Sequence, residues 1–285
     1  MSSLNFNKKL FPENYKLEID GLRAVAVFAV IINHFNKLLL PGGFLGVDIF
    51  FVISGYVITS SIKNRKYKNF KNYIIGFYSR RIKRILPALI PIVLIGGLAL
   101  CLFIPEPTTG LRTGMSSLFG MSNLYLIKKS SDYFAPITEI NPFTHTWSLS
   151  VEEQFYFIFP VFLWFTGYVN NKKDSERITI FLLFFISLIS LVFFINLRET
   201  NFYLSFYLMP TRFWEISAGS LLYIFKSKNK NLNFVRDKDN LLSTLFIFLI
   251  LCFFIGIKLS TISTIITVTI TCLIIFLISK ESLLY

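Results

Sequence analysis

Ile178-Thr-Ile-Phe-Leu-Leu-Phe-Phe-Ile-Ser-Leu-Ile-Ser-Leu-Val-Phe-Phe-Ile-Asn-Leu197 runs for twenty residues without a charged side chain. A helix of that length spans about 30 Å, the thickness of the hydrocarbon core of a bilayer. Comparable runs recur along the 285 residues. The chain is 54% hydrophobic, 17% aromatic and only 16% charged, which excludes a soluble domain of this length. The first run follows a polar leader, residues 1–20, and has no small-residue cleavage site, so it reads as a span and not as a removed signal peptide. The expected fold class is all-α, a polytopic transmembrane helical bundle forming a single domain over residues 1–285.

Eight crossings are expected, at about 22–40, 44–62, 85–104, 150–168, 178–197, 203–225, 241–257 and 261–279. The net charge of +13 does not indicate nucleic acid, because of where it falls. Lys63, Arg65, Lys66, Lys68, Lys71, Arg80, Arg81, Lys83 and Arg84 share one connection that contains no acid. Lys/Arg clusters beside spans mark the cytoplasmic side. A cytoplasmic N-terminus places that connection inside, together with 169–177 (Lys172, Lys173, Arg177) and 226–240 (Lys226, Lys228, Lys230, Arg236, Lys238). The outward connections at 41–43, 197–202 and 258–260 are then short and poorly charged. Residues 112–127 are only moderately apolar. A crossing there would move both later basic loops outside, so 105–149 is expected outside, partly membrane-hugging and irregular around Pro105, Pro107, Pro136 and Pro142. Cys101, Cys252 and Cys272 lie in apolar runs. With two histidines and no Cys-x-x-Cys, neither a disulfide framework nor a metal site is expected.

Five segments carry the chemistry. In Glu18-Ile-Asp-Gly-Leu-Arg23 through Asn33-His34, the eleven-residue step from Arg23 to His34 is about 1100°, three turns plus roughly 20°, so both occupy one helix stripe about 16 Å apart. His34 reads as a general base near membrane depth, or as a packed polar residue bonded to a neighbouring helix. Arg23 reads as a clamp for an anionic cofactor, or as an interface anchor. In Gly42 through Tyr56, Asp48 is placed to pair with a cation or orient His34, while Ser54-Gly55 suits close helix packing. In Phe77 through Pro87, Arg80, Arg81 and Arg84 form a basic collar that either sets topology or binds phosphate. In His145-Thr-Trp-Ser-Leu-Ser150-Val-Glu152-Glu153, Ser150 and Glu153 match a capping box at a helix start, which leaves Glu152 and His145 unexplained. A carboxylate there would raise the basicity of either imidazole. In Pro210-Thr-Arg212-Phe-Trp214-Glu215, Arg212 and Glu215 stand one turn apart and can pair, Trp214 suits an interfacial anchor, and Ser217, Ala218 and Gly219 permit close packing.

Together these segments resemble acyltransferase family 3, the membrane polysaccharide O-acetyltransferase group. The pieces that match are Ile19 to Arg23 with His34, Gly46-Val47-Asp48 through Tyr56, Arg80-Arg81 to Arg84 and Pro87, Thr146 to Tyr156, and Arg212-Phe213-Trp214-Glu215, in family order over residues 18 to about 220. The resemblance implies a multi-pass enzyme of the bacterial inner membrane. Such an enzyme moves an acyl group, usually acetyl from acetyl-CoA, onto a hydroxyl of an envelope glycan, polysaccharide, lipopolysaccharide or lipid-linked saccharide. It makes Arg23 and His34 the essential pair, sets Arg80, Arg81 and Arg84 on the side where CoA is supplied, and raises the cofactor reading for at least one of them. Glu152 joins His34 as catalytic. Asp48, Ser54, His145, Glu153, Arg212 and Glu215 are expected to bind or orient substrate, with Arg212 stabilising an oxyanion. Family domains commonly have about ten spans and often a C-terminal SGNH-hydrolase-like domain. The chain is therefore expected to be incomplete at its C-terminus, with no SGNH-like domain. Two rivals stand beside this reading: a transporter using Arg23, His34, Glu152 and Arg212 as a proton or solute path, and an inactive or accessory member.

Overall fold

The computed structural model describes residues 17–65, 67–130, 141–170, 172–228, 238–255 and 260–278. The leader before residue 17, Lys66, residues 131–140 with Pro136, Lys230 and Arg236 lie outside the described residues. All regular structure among the described residues is helical: α1 (Leu17–Phe35), a 3-10 turn (Gly43–Leu45), α2 (Gly46–Lys63), α3 (Phe70–Phe103), α4 (Thr108–Leu118), α5 (Ser122–Ser130), α6 (Thr146–Phe165), α7 (Ser175–Thr200), α8 (Phe202–Tyr207), α9 (Met209–Lys228), α10 (Lys238–Cys252) and α11 (Ser260–Leu277).

Among the described residues, three helical stretches are long and apolar enough to cross a membrane: Gly43–Lys63, Phe70–Phe103 and Ser175–Thr200. On α3 the side chains of Leu94, Ile95, Leu98, Leu102 and Phe103 are exposed, and on α7 those of Phe181, Phe184 and Phe185. Continuous apolar surface of this kind needs a lipid solvent, and a helix satisfies its backbone there without water. The chain is a membrane protein.

It divides into two compact units, 1–53 with 230–285, and 54–229. In the first, Asn33 Nδ2 donates to the carbonyls of Leu40 (2.8 Å) and Pro41 (3.3 Å), which closes the turn after α1. The Gly42 amide donates to the Phe253 carbonyl at 2.7 Å. A Cβ at Gly43 would overlap the Ala29 carbonyl and one at Gly46 the Ala26 carbonyl, so glycine there lets the 3-10 turn lie directly on α1.

In the second unit α7 and α9 are joined through hydroxyls. Ser217 Oγ donates to Ser187 Oγ (2.9 Å), Ser190 Oγ to the Pro210 carbonyl (2.6 Å), and the Trp214 amide to Ser190 Oγ (3.0 Å). Polar clasps between apolar helices are the usual glue where lipid removes any hydrophobic driving force. On α2, a Cβ at Gly55 would overlap the Ile216 carbonyl of α9. Gly55→Ala is therefore expected to force α2 and α9 apart and to cost about 1–3 kcal/mol. Its thermal unfolding midpoint in detergent should drop, and an unchanged midpoint would show that the contact is relaxed in solution. The ends of α2, α7 and α9 bring Lys63, Lys172 and Lys228 to one cleft, so the three basic connections emerge at the same end of this unit.

Five expectations need correction. The third helix starts at Phe70, not near 85, because Asn69 caps it: its side chain accepts from the Asn72 amide at 2.8 Å. The added turns are held by packing, with buried Tyr73 donating to the Pro160 carbonyl (3.0 Å) and stacking on Trp164. The arginine collar therefore sits on a continuous helix that passes through Pro87 and Pro91. Residues 108–118 and 122–130 are helical, not irregular, because α5 is clasped to α6 by Ser122. The capping box is absent. The helix starts four residues before Ser150, at Thr146, and the Ser150 hydroxyl instead accepts from the Ser122 amide (3.1 Å) and bonds the Ser122 hydroxyl (2.8 Å). Trp214 is buried against Phe194, not placed at an interface. The sixth expected span is two helices, α8 and α9, broken at Leu208, whose backbone is extended.

Candidate functional site

Arg23 and His34 lie on one uninterrupted helix, α1, so the eleven-residue spacing sets them on one stripe. Arg23 Nη1 donates to Asp20 Oδ1 at 2.9 Å, one turn earlier, and both side chains are partly exposed. Asp20 holds the guanidinium in place without burying it. His34 is exposed in the last turn, with its Nδ1 2.8 Å from the Val30 carbonyl. A carbonyl oxygen can only accept, so this bond puts hydrogen on Nδ1 and leaves the lone pair on Nε2. A neutral imidazole in that tautomer can accept a proton at Nε2. Asp48 is buried in the first turn of α2.

In the second unit Glu152 is held on both oxygens. Oε1 accepts from Ser54 Oγ at 2.8 Å, and Oε2 from the Tyr156 hydroxyl at 2.9 Å. Tyr156 is itself buried, and the Arg81 guanidinium lies 4.7 Å from its ring centroid, in cation–π range. The fold thus joins residues from three helices: Ser54 of α2, Arg81 of α3 and Glu152 of α6. Tyr156 is the link that the sequence reading missed. Its signal was legible, one turn after Glu152 on the same helix.

The other members of the collar diverge. Arg80 Nη2 donates to the Tyr67 hydroxyl at 2.8 Å. Arg84 is exposed and makes no hydrogen bond or ion pair among the described residues. Of the three, Arg84 keeps its guanidinium available to an anion. Glu153 is half-buried beside Gly120, whose φ of +66° admits only a glycine comfortably and lets the carboxylate pack on bare backbone. Gln154 ties that same turn down by donating to the Gly120 carbonyl (2.9 Å) and Asn123 Oδ1 (2.8 Å). His145 occupies the residue before α6 and is exposed, and its side chain makes no capping bond.

Arg212 and Glu215 pair as their spacing predicts, Nη1 to Oε1 at 2.6 Å, with 1% and 0% of their side chains exposed. Arg212 Nε donates to the Phe206 carbonyl (3.1 Å), which locks the α8–α9 corner. Its guanidinium lies 5.0 Å from the Phe206 ring centroid, 5.2 Å from Phe194 and 5.9 Å from Trp147. Enclosed in this way, Arg212 is a positioning group within the protein.

Helical throughout its described residues, with apolar helices of bilayer length, the chain is a membrane protein. Its class is narrower than that. Residues 16–283 match the family model described as an acyltransferase domain, and the chain belongs to that family. It is 40% identical over 185 residues to the O-acetyltransferase OatA of Staphylococcus aureus strain NCTC 8325, covering 65% of this chain and 30% of that protein. A candidate O-acetyltransferase of Staphylococcus aureus strain MSSA476 is 38% identical over 254 residues, covering 85% of this chain and 41% of the relative. The chain thus spans under half the length of these curated relatives. No solved structure matches it.

Proposed function

We propose that this chain is an integral-membrane O-acyltransferase that moves an acyl group, acetyl in the simplest case, from acyl-CoA to a hydroxyl of a bacterial envelope glycan. Family membership and relatives named as O-acetyltransferases support the reaction class. The observation that carries the mechanism is the 2.8 Å contact of His34 Nδ1 with the Val30 carbonyl, which leaves Nε2 as the nitrogen that can accept a proton in the neutral ring. Nε2 takes the proton from the acceptor hydroxyl as its oxygen attacks the thioester carbonyl. The C–S bond breaks, and the departing CoA thiolate recovers the proton from the imidazolium. Arg23 on the first unit, and separately Arg84 on the second, are candidates to bind a CoA phosphate. Glu152, fixed by Ser54 and Tyr156, is a carboxylate able to accept a proton.

The bundle is proposed to cross the inner membrane of a bacterium eight times with its N-terminus in the cytoplasm. The convergence of Lys63, Lys172 and Lys228 at one end supports this orientation, since basic loops stay on the cytoplasmic face.

Membranes containing the chain, supplied with acetyl-labelled acetyl-CoA, should transfer label into the envelope polysaccharide fraction, where mass spectrometry finds an acetyl increment. Absence of label with folded chain in the membrane would sink the proposal. Within the same assay, Glu152→Gln is expected to lower turnover about 100-fold. Tyr156→Phe removes one neutral hydrogen bond worth about 1 kcal/mol, and should lower it roughly fivefold. Equal effects from the two would assign Glu152 a packing role only.

A further inference from the structure

We propose that the cleft at the polar ends of α2, α7 and α9 is a phosphate-binding site, a reading independent of acyl transfer. The cleft has a volume of about 280 Å³ and is lined by Lys63, Lys172, residues 174–177 and Lys228. It opens on the first turn of α7, a helix of 26 residues. The residue before that helix, Asp174, has a left-handed backbone (φ 61°), and its side chain makes no capping bond. The Ser175 amide donates to the Lys172 carbonyl at 3.1 Å, and the amides that follow it carry the partial positive charge of a long helix's first turn.

Two further features point to a ligand. Ser175 is 2% exposed, and its hydroxyl has no hydrogen-bond partner among the described residues. Buried hydroxyls are nearly always bonded, so one left over on the wall of a basic cleft marks a missing acceptor. The charge balance agrees. Lys63 Nζ is taken by Glu176 Oε1 at 3.1 Å and lies 4.2 Å from the Tyr168 ring centroid. Arg177 reaches Asp174 at 3.6 Å. Lys172 and Lys228 are the surplus, two positive charges against the one to two negative charges of a phosphate ester. The Lys172 stem lies against Gly167, where a Cβ would overlap it. A basic collar that only set topology would need neither the orphaned hydroxyl nor the uncapped helix.

The chemistry recognised is a phosphate group, and it can reach the ends of membrane helices from two sources, a phospholipid headgroup or a soluble phosphate. The 285-residue chain purified in detergent separates them. Native mass spectrometry after addition of phosphatidylglycerol, with phosphatidylcholine as the comparison, reports the lipid source. Equilibrium dialysis with radiolabelled orthophosphate reports the soluble one. The variants are Lys172→Gln with Lys228→Gln, and Ser175→Ala. Lys71→Gln, an exposed cation on α3, is the control, and size exclusion confirms folding of each. Wild type and control should bind in at least one arm. The double variant should bind about tenfold more weakly and Ser175→Ala about threefold more weakly, as expected for lost charge-assisted and neutral bonds. Binding that survives equally in the double variant, or no binding by wild type in either arm, overturns the proposal.

Discussion

His34→Gln is expected to lower acyl transfer by about 100- to 10,000-fold, the range that a positioned general base supplies. The substitution isolates chemistry from folding for a structural reason. His34 is exposed in the last turn of α1, so removing its ring leaves no cavity. The turn that follows is held by Asn33, not by His34, through its bonds to Leu40 and Pro41. Glutamine keeps the polarity of the site but has no basic nitrogen, so the acceptor hydroxyl would have to lose its proton to water. The measurement is the initial rate of label transfer from acetyl-CoA to envelope glycan, with size-exclusion behaviour as the control for folding. The loss should fall on turnover, with KM for the donor little changed, because the phosphate contacts proposed for Arg23 and Arg84 remain. A variant with wild-type turnover would remove His34 from the mechanism. A variant with unchanged turnover and a raised KM would make it a binding residue.

What was legible in the sequence followed from properties that act over short distance. Apolar runs without charge became helices, and the Arg23–His34 interval became one stripe because no proline or glycine interrupts it. The Arg212–Glu215 pair followed from one-turn spacing. The small residues Ser54-Gly55 and Ser217 became points of close contact between helices. The boundaries that moved were set by partners distant in sequence. Asn69 was a readable cap, but the turns from 70 to 84 look polar and basic until Tyr73 finds Pro160 across the unit, 87 residues away. The Ser150 and Glu153 pattern fits a capping box on spacing alone. Ser122, arriving from another segment, bonds the Ser150 hydroxyl and accepts from the Thr146 hydroxyl, and the helix begins four residues earlier. For the candidate site, the chain order of Ser54, Arg81 and Glu152 says nothing about their meeting. Tyr156, one turn beyond Glu152, donates its hydroxyl to the carboxylate and presents its ring to the Arg81 guanidinium.

Arg212→Met is expected to destabilise the protein by about 3–5 kcal/mol, the cost of stripping a buried carboxylate of its paired cation. Both side chains are at most 1% exposed, so solvent cannot replace the lost partner. The substitution also removes the donor that ties α9 to the Phe206 carbonyl, and the cation that three aromatic rings surround. Glu215→Leu alone should be similarly damaging, because it leaves the guanidinium among those rings without the carboxylate. Changing both residues together removes the desolvated charges as a pair, and the double variant should recover to within about 1–2 kcal/mol of wild type, as replacement of whole buried ion pairs by apolar groups does. The non-additivity is what tests the reading: two single losses that simply sum in the double variant would mean that Arg212 and Glu215 contribute separately. The thermal unfolding midpoint in detergent, followed by size exclusion, measures all three. Activity supplies the second readout. A recovered double variant that transfers acetyl at wild-type rate makes the pair a support for the α8–α9 corner, which is where its burial places it. A recovered double variant that is inactive would return Arg212 to the reacting centre, as the stabiliser of developing negative charge.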